Sequence, residues 1–198
     1  MAGDASSDLI RALLEFLERL ETAGLAHAVG GSVASSAFGE PRATADCDVV
    51  VSLPPGRLAG LLDALGPDWY APRDSAARAV EAHSSFNVIH LPTGSKIDVF
   101  VTGPSAFDRE QLERRVRRPL VRDGHPVWLS SPEALVLAKL DWFRKGGGFS
   151  DRQWRDVLGI LKVQAGRLDE PWMRRMAGTL SVSDLLDRAL RLQGPPPR

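Results

Sequence analysis

One cysteine, Cys47, stands in the whole chain, so no intramolecular disulfide can staple the fold. A reducing, cytoplasmic setting is the one expected. An excess of charge of either sign is also missing: 25 Lys and Arg balance 25 Asp and Glu. The molecule as a whole therefore exerts no general pull toward nucleic acid, and any such partner must be held by a local patch. Histidine is scarce, and neither His83 nor His90 has a second histidine at ligand spacing, which excludes a zinc centre. Long apolar runs are lacking, so no transmembrane span is expected and no membrane partner. The opening segment MAGDASSDLI has no basic stretch leading into an apolar core, so no signal peptide is expected either. There is no internal repeat.

What is present suffices for an ordinary folded protein. The 198 residues are 43% hydrophobic, enough Leu, Val and Ala for a sizeable core. That length allows one domain, or a small α/β domain with a helical annex.

The chain is organised around Val29 to Val51, VGGSVASSAFGEPRATADCDVVV. Gly30 and Gly31 allow a tight turn and a close approach to the main chain. Ser32 follows at the start of a helix expected over Val33 to Phe38, and backbone N–H groups with a hydroxyl at a helix start suit a phosphate. Asp46 and Asp48 then enter the apolar run Val49-Val50-Val51, which reads as a buried strand. Alternate strand residues share a face, so the two carboxylates should converge beside the turn. Paired hard oxygens next to a phosphate site call for Mg²⁺. Other readings exist for each piece: a plain turn, a solvated strand end, or the Asp-x-Asp with which some glycosyltransferases hold a metal-bound sugar nucleotide. A third carboxylate, Asp98, lies inside Lys96-Ile97-Asp98-Val99-Phe100-Val101. Burying it unpaired is costly, so it is either a metal ligand or a paired core carboxylate. Cys47, between the two aspartates, should face the apolar side of its strand.

The remaining pattern is mostly packing. Leu9, Leu13, Phe16, Leu17 and Leu20 line one face of a helix over Ser6 to Ala23, ended by Gly24. Ala26 to Val29 reads as a strand, Arg57 to Leu65 as a helix, and Gly66 to Ser75 as a loop. That loop carries Trp69 and Tyr70, as base-stacking residues or as core and rim. Phe86 to Leu91 and Ile97 to Val101 read as a hairpin around Pro92-Thr93-Gly94-Ser95. Phe107 to Arg122 reads as a charged helix laced with i,i+3 and i,i+4 pairs, its least neutralised part, Arg114 to Arg118, being a candidate contact for RNA or a triphosphate. Pro126 to Leu129 is a short strand. Ser130-Ser131-Pro132-Glu133 starts a helix expected to reach Phe143. Lys139, amid Leu137, Ala138 and Leu140, must snorkel or find an anion, Asp156 being one candidate partner. Further helices are expected over Asp151 to Leu161 and, as a pair, over Pro171 to Leu192.

Gly30-Gly31-Ser32, then Pro41-Arg42-x-Thr44-x-Asp46-x-Asp48, then the late Asp98, resemble the nucleotidyltransferase superfamily, the polymerase-beta-like fold. Within it the chain is similar to AbiEii-type nucleotidyltransferase toxins and their relatives. The motif-bearing resemblance covers roughly Ala26 to Thr102 and continues more weakly from Ser130 to Leu161. The fold expected is α/β: a small mixed sheet backed by helices over residues 1–129, then a helical part over 130–198. The resemblance implies transfer of an NMP from an NTP to an acceptor hydroxyl, with Mg²⁺ or Mn²⁺ held by Asp46, Asp48 and Asp98. Gly30, Gly31 and Ser32 would hold phosphates, with Arg42 and Lys139 neutralising their charge. The acceptor would be RNA, for a toxin with an antitoxin protein as partner. The alternatives are transfer to a small molecule or a protein, and a non-catalytic module that binds nucleotide or a partner.

Overall fold

The computed structural model describes residues 5–41, 43–44, 46–121 and 124–193. The first helix, α1 (Ala5–Thr22), buries the expected face: Leu9, Leu13, Phe16, Leu17 and Leu20 are all in the core. Gly24 ends that segment at φ +62°, a conformation that costs a side-chain-bearing residue more. The chain then alternates through β1 (His27–Val29), α2 (Gly31–Phe38), β2 (Cys47–Val51), α3 (Pro55–Leu65), β3 (Trp69–Tyr70) and α4 (Arg73–Glu81). The hairpin β4 (Ser85–His90) and β5 (Ser95–Val101) follows, then α5 (Ala106–Glu113), β6 (Val116–Pro119) and β7 (Pro126–Leu129). From there the chain is helical: α6 (Pro132–Lys145), α7 (Asp151–Val163), α8 (Glu170–Thr179) and α9 (Ser183–Gln193).

The strands make one mixed sheet in the order β3-β4-β5-β2-β1-β7-β6. β2 runs parallel to β5 and antiparallel to β1, and β1 runs parallel to β7. The mixed α/β architecture expected from the sequence is the one found. Period-two alternation gives the central strands two different faces. Cys47, Val49 and Val51 of β2 and Ile97, Val99 and Val101 of β5 are buried among core side chains, and α1 packs against β5. Asp48 and Val50, with Lys96, Asp98 and Phe100, fall on the alternate, half-buried positions. On the helical side, α2 packs on β2 and is itself held by α6 and α7.

Two stretches differ from their expected form. Phe107 to Arg122 is not one helix. α5 stops at Glu113, and the basic residues continue as edge strand β6, pairing Val116 with Leu129 and Arg117 with Trp128. The ladder to β7 overrides the local helical charge pattern, and Pro119 and Pro126 suit its outer end. Arg122 lies outside the described residues. Likewise Gly66 to Ser75 is not all loop: it holds β3 and opens α4, a helix whose buried Ala76, Ala79 and Val80 are too small and too few to mark it by periodicity alone. Trp69 is a core residue packed on Phe16 and His90, whereas Tyr70 is exposed. The other elements agree with expectation to within a few residues. Among the described residues, no helix is long and apolar enough to cross a membrane.

Candidate active site

A cavity of about 610 Å³ opens on the half-buried face of the sheet. Its walls include Gly30, Gly31 and Ser32 at the start of α2, Asp48 of β2, Phe100 of β5, Ser130 before α6, and Lys139 and Trp142 of α6. Here the glycine turn and the strand carboxylate meet. Gly31 has φ +52°, and a Cβ built on it would lie 1.5 Å from Asp48 Oδ2. The Asp48 carboxylate is therefore seated against the backbone where α2 begins, and only glycine leaves it that room. Main-chain bonding fixes the approach, since the Gly30 N–H donates to the Asp48 carbonyl at 2.8 Å. Gly30 caps α2 and has no side chain to make a capping hydrogen bond. Inside the helix, Ser35 and Ser36 donate their hydroxyls back to the carbonyls of Gly31 and Ser32.

Asp98 is brought to Asp48 by strand register. Cys47 pairs with Ile97 and Asp48 with Asp98 across the parallel β2–β5 ladder, so the two carboxylates occupy the same rung on the same face. Burial first, and the Asp98 charge second, push the Asp48 carboxyl above its ordinary range; the Lys139 ammonium opposes the shift. Asp46 precedes β2 rather than lying in it. It is exposed, its backbone held by the Thr44 hydroxyl, which accepts from the Asp46 N–H and donates to the Asp46 carbonyl. Asp98 accepts an ion pair from Lys96 Nζ at 3.0 Å. Lys96 carried no assignment from its own spacing, yet a charged residue two positions before Asp98 on a strand shares its face, which is the signal that locates it.

Lys139 lines the cavity and also has its anion. Its ammonium donates to Asp156 Oδ2 at 2.7 Å and to Gln153 Oε1 at 3.3 Å, and both partners of the ion pair are buried. Arg42 lies outside the described residues. Cys47 faces the apolar side as expected. Burial, reinforced by Asp48, Asp46 and Asp98, pushes its thiol up to about 12, which leaves no thiolate for nucleophilic chemistry. His90 is tied to Thr93 and Glu15, and His83 to the Thr102 carbonyl.

Among the described residues, no group of three or more His, Cys, Asp or Glu side chains is arranged to hold a metal ion. The donor chemistry nevertheless fits one hard cation. Mg²⁺ is commonly held by one or two carboxylates together with substrate phosphates, and Asp48 and Asp98 supply such a pair where burial and mutual repulsion favour a cation.

The basic stretch is partly committed elsewhere. Arg114 pairs with Asp169 and lies over Trp172, and Arg115 donates to the Leu112 carbonyl and lies over Trp128. Arg117 and Arg118 remain exposed on β6, against Trp128 and Phe38.

No protein-family model and no curated sequence matches the chain. Solved structures do. The chain is similar to the antibiotic-resistance factor ANT(2'')-Ia, with TM-score 0.54 and 14% identity over 94% of this chain and 98% of that one. It is also similar to an antigenic nucleotidyltransferase-like protein from Paracoccidioides brasiliensis, with TM-score 0.51 and 17% identity over 94% of each chain. At these identities the likeness is one of fold.

Proposed function

We propose that this protein is a nucleotidyltransferase, moving an NMP from an NTP to an acceptor hydroxyl. The observation that carries the reading is the in-register pair Asp48 and Asp98 beside the Gly31 helix start, inside one cavity. The fold shared with nucleotidyltransferase-like structures supports it.

The Gly31 amide and Ser32, beside the Gly30 turn, bind the NTP's terminal phosphates, helped by the positive end of α2. Lys139, at the cavity wall, contributes positive charge toward them. Asp48 and Asp98 would hold a divalent ion, Mg²⁺ or Mn²⁺, with Asp46 one step outside them. Such an ion would supply charge stabilisation to the phosphoryl group being transferred. Asp98 orients the acceptor hydroxyl and takes its proton as the new P–O bond forms, and pyrophosphate leaves.

Two acceptors are carried forward. Arg117 and Arg118 on the exposed edge strand support an RNA acceptor, and with it the AbiEii-like toxin reading and an antitoxin partner. The cavity volume supports a small hydroxylated acceptor seated beside the nucleotide. Incubation with each labelled NTP, Mg²⁺ and total RNA, with pyrophosphate release followed in parallel, tests the proposal. Label on RNA supports the first acceptor. Pyrophosphate released only on addition of small polyhydroxylated compounds supports the second. Absence of pyrophosphate with every NTP and acceptor class would remove the catalytic reading.

A further inference from the structure

We infer that Phe100 and Trp142 form the nucleobase subsite of the cavity, and that purine nucleoside triphosphates are its preferred ligands. This rests on the reading of the cavity as a nucleotidyl-transfer site.

The sheet and α6 each lead from charge to aromatic surface. On the sheet, the next rung on the same face after Asp48 with Asp98 is Val50 with Phe100. It lies two residues on, about 6.6 Å along the strands. On α6, Trp142 follows Lys139 by three residues, so it shares that side of the helix about 4.5 Å further along. Val50, Phe100, Lys139 and Trp142 all line the cavity. Both steps end at one place, because the Phe100 and Trp142 rings meet with centroids 5.9 Å apart. A ligand held by its phosphates at the Gly31 turn therefore has aromatic surface one step beyond the charged groups. In a nucleotide the base stands one ribose away from the α-phosphate, and its flat π-face suits such a surface.

The two rings are set as a corner. Their planes are 73° apart, so a planar ligand can lie on one ring with its edge against the other. Trp142 is 51% exposed, whereas Trp69 and Trp172 are buried and Trp128 and Trp154 half-buried. It is thus the tryptophan with surface left to cover. Lys145 steadies the indole: its Nζ lies 5.9 Å from the ring centroid and donates to Asp141 at 2.7 Å. Beyond Phe100 on the same rung, β4 contributes Ser85, which with Ser84 lines the cavity's rim. Those hydroxyls suit a hydroxylated acceptor, and the apolar rings suit the base. Every base has a face to stack, but a purine's two fused rings cover more aromatic surface than a pyrimidine's one, so purine NTPs gain most.

The test measures binding in the absence of an acceptor. Calorimetric titration with ATP, CTP and inorganic tripolyphosphate is run on the full chain, on Trp142→Ala and on Trp142→Phe, with circular dichroism as the check that all three are folded. The wild type should bind ATP more tightly than CTP, and both more tightly than tripolyphosphate. Trp142→Ala should lose about tenfold or more in ATP affinity, on the scale of one base stacked on an aromatic side chain, with tripolyphosphate binding unchanged. Trp142→Phe should keep most of the ATP affinity. An alanine variant that binds ATP as the wild type does, or that loses ATP and tripolyphosphate equally, would overturn the subsite and leave the transferase reading standing. CTP bound by the wild type as tightly as ATP would overturn the purine preference. Binding of neither nucleotide nor tripolyphosphate by the wild type would overturn both the subsite and the transferase reading.

Discussion

The Asp48 carboxylate fills the space a side chain at Gly31 would need. An added Cβ would stand 1.5 Å from Asp48 Oδ2 and 2.5 Å from its carboxyl carbon, at a backbone φ of +52°. Gly30, next to it, is free of that conflict, with its nearest neighbour 3.7 Å away. Gly31→Ala should therefore lose about 1–2 kcal/mol from the backbone conformation alone, and more from the displaced carboxylate. Gly30→Ala should be milder. Urea denaturation of both variants checks the difference, and equal losses would contradict the seating of Asp48 against Gly31.

Asp48 also makes stability depend on pH. Its folded-state carboxyl is raised above the ordinary value of 3.8 by burial and by Asp98. The folded protein therefore holds the proton more tightly than the unfolded chain. The stabilisation is complete below the unfolded value and is lost as pH rises through the folded one. Asp48→Asn should match the wild type in acid and become progressively more stable than it toward neutral pH, at the expense of transfer activity. Denaturation midpoints across that range give the curve. A constant gap would mean that Asp48 titrates as it does in the unfolded chain.

Lys139 is expected to reveal its structural role when removed. Its ion pair with Asp156 is buried on both sides, so Lys139→Ala takes the ammonium away from a buried carboxylate at about 3–5 kcal/mol. The double variant Lys139→Met with Asp156→Leu should recover much of that stability and still bind NTP poorly. Melting temperature and nucleotide affinity on both proteins separate packing from phosphate binding. Recovery of affinity along with stability would assign Lys139 to the fold alone.

Asp98→Asn should lower turnover by about two orders of magnitude, the scale of a lost general base. Stability should change little, because the ion pair it gives up is with a half-exposed lysine and is worth roughly 0.2–1 kcal/mol. Pyrophosphate release and thermal melting on one preparation make the comparison. Near-normal release by the folded variant would remove Asp98 from the chemistry.

Much of this was legible along the chain because it depends on short-range spacing. The face of α1 follows from the period of Leu9, Leu13, Phe16 and Leu20, and the hairpin β4–β5 from Pro92-Thr93-Gly94 between two apolar runs. The opposite orientation of Cys47 and Asp48 follows from strand alternation alone. The glycine pair at the start of α2 was visible as a turn that a ligand can approach.

Long-range pairing decided the rest. Nothing within reach of Asp48 in sequence says that its rung partner is Asp98; the β2–β5 register does. The packing of α6 on α7 gives Lys139 the carboxylate of Asp156, and pairing with β7 turns a charged, helix-like stretch into the edge strand β6. Local periodicity states which way a side chain points along its own element. Which charge it meets there depends on elements far away in sequence, whose register is set by burial of the shared apolar face.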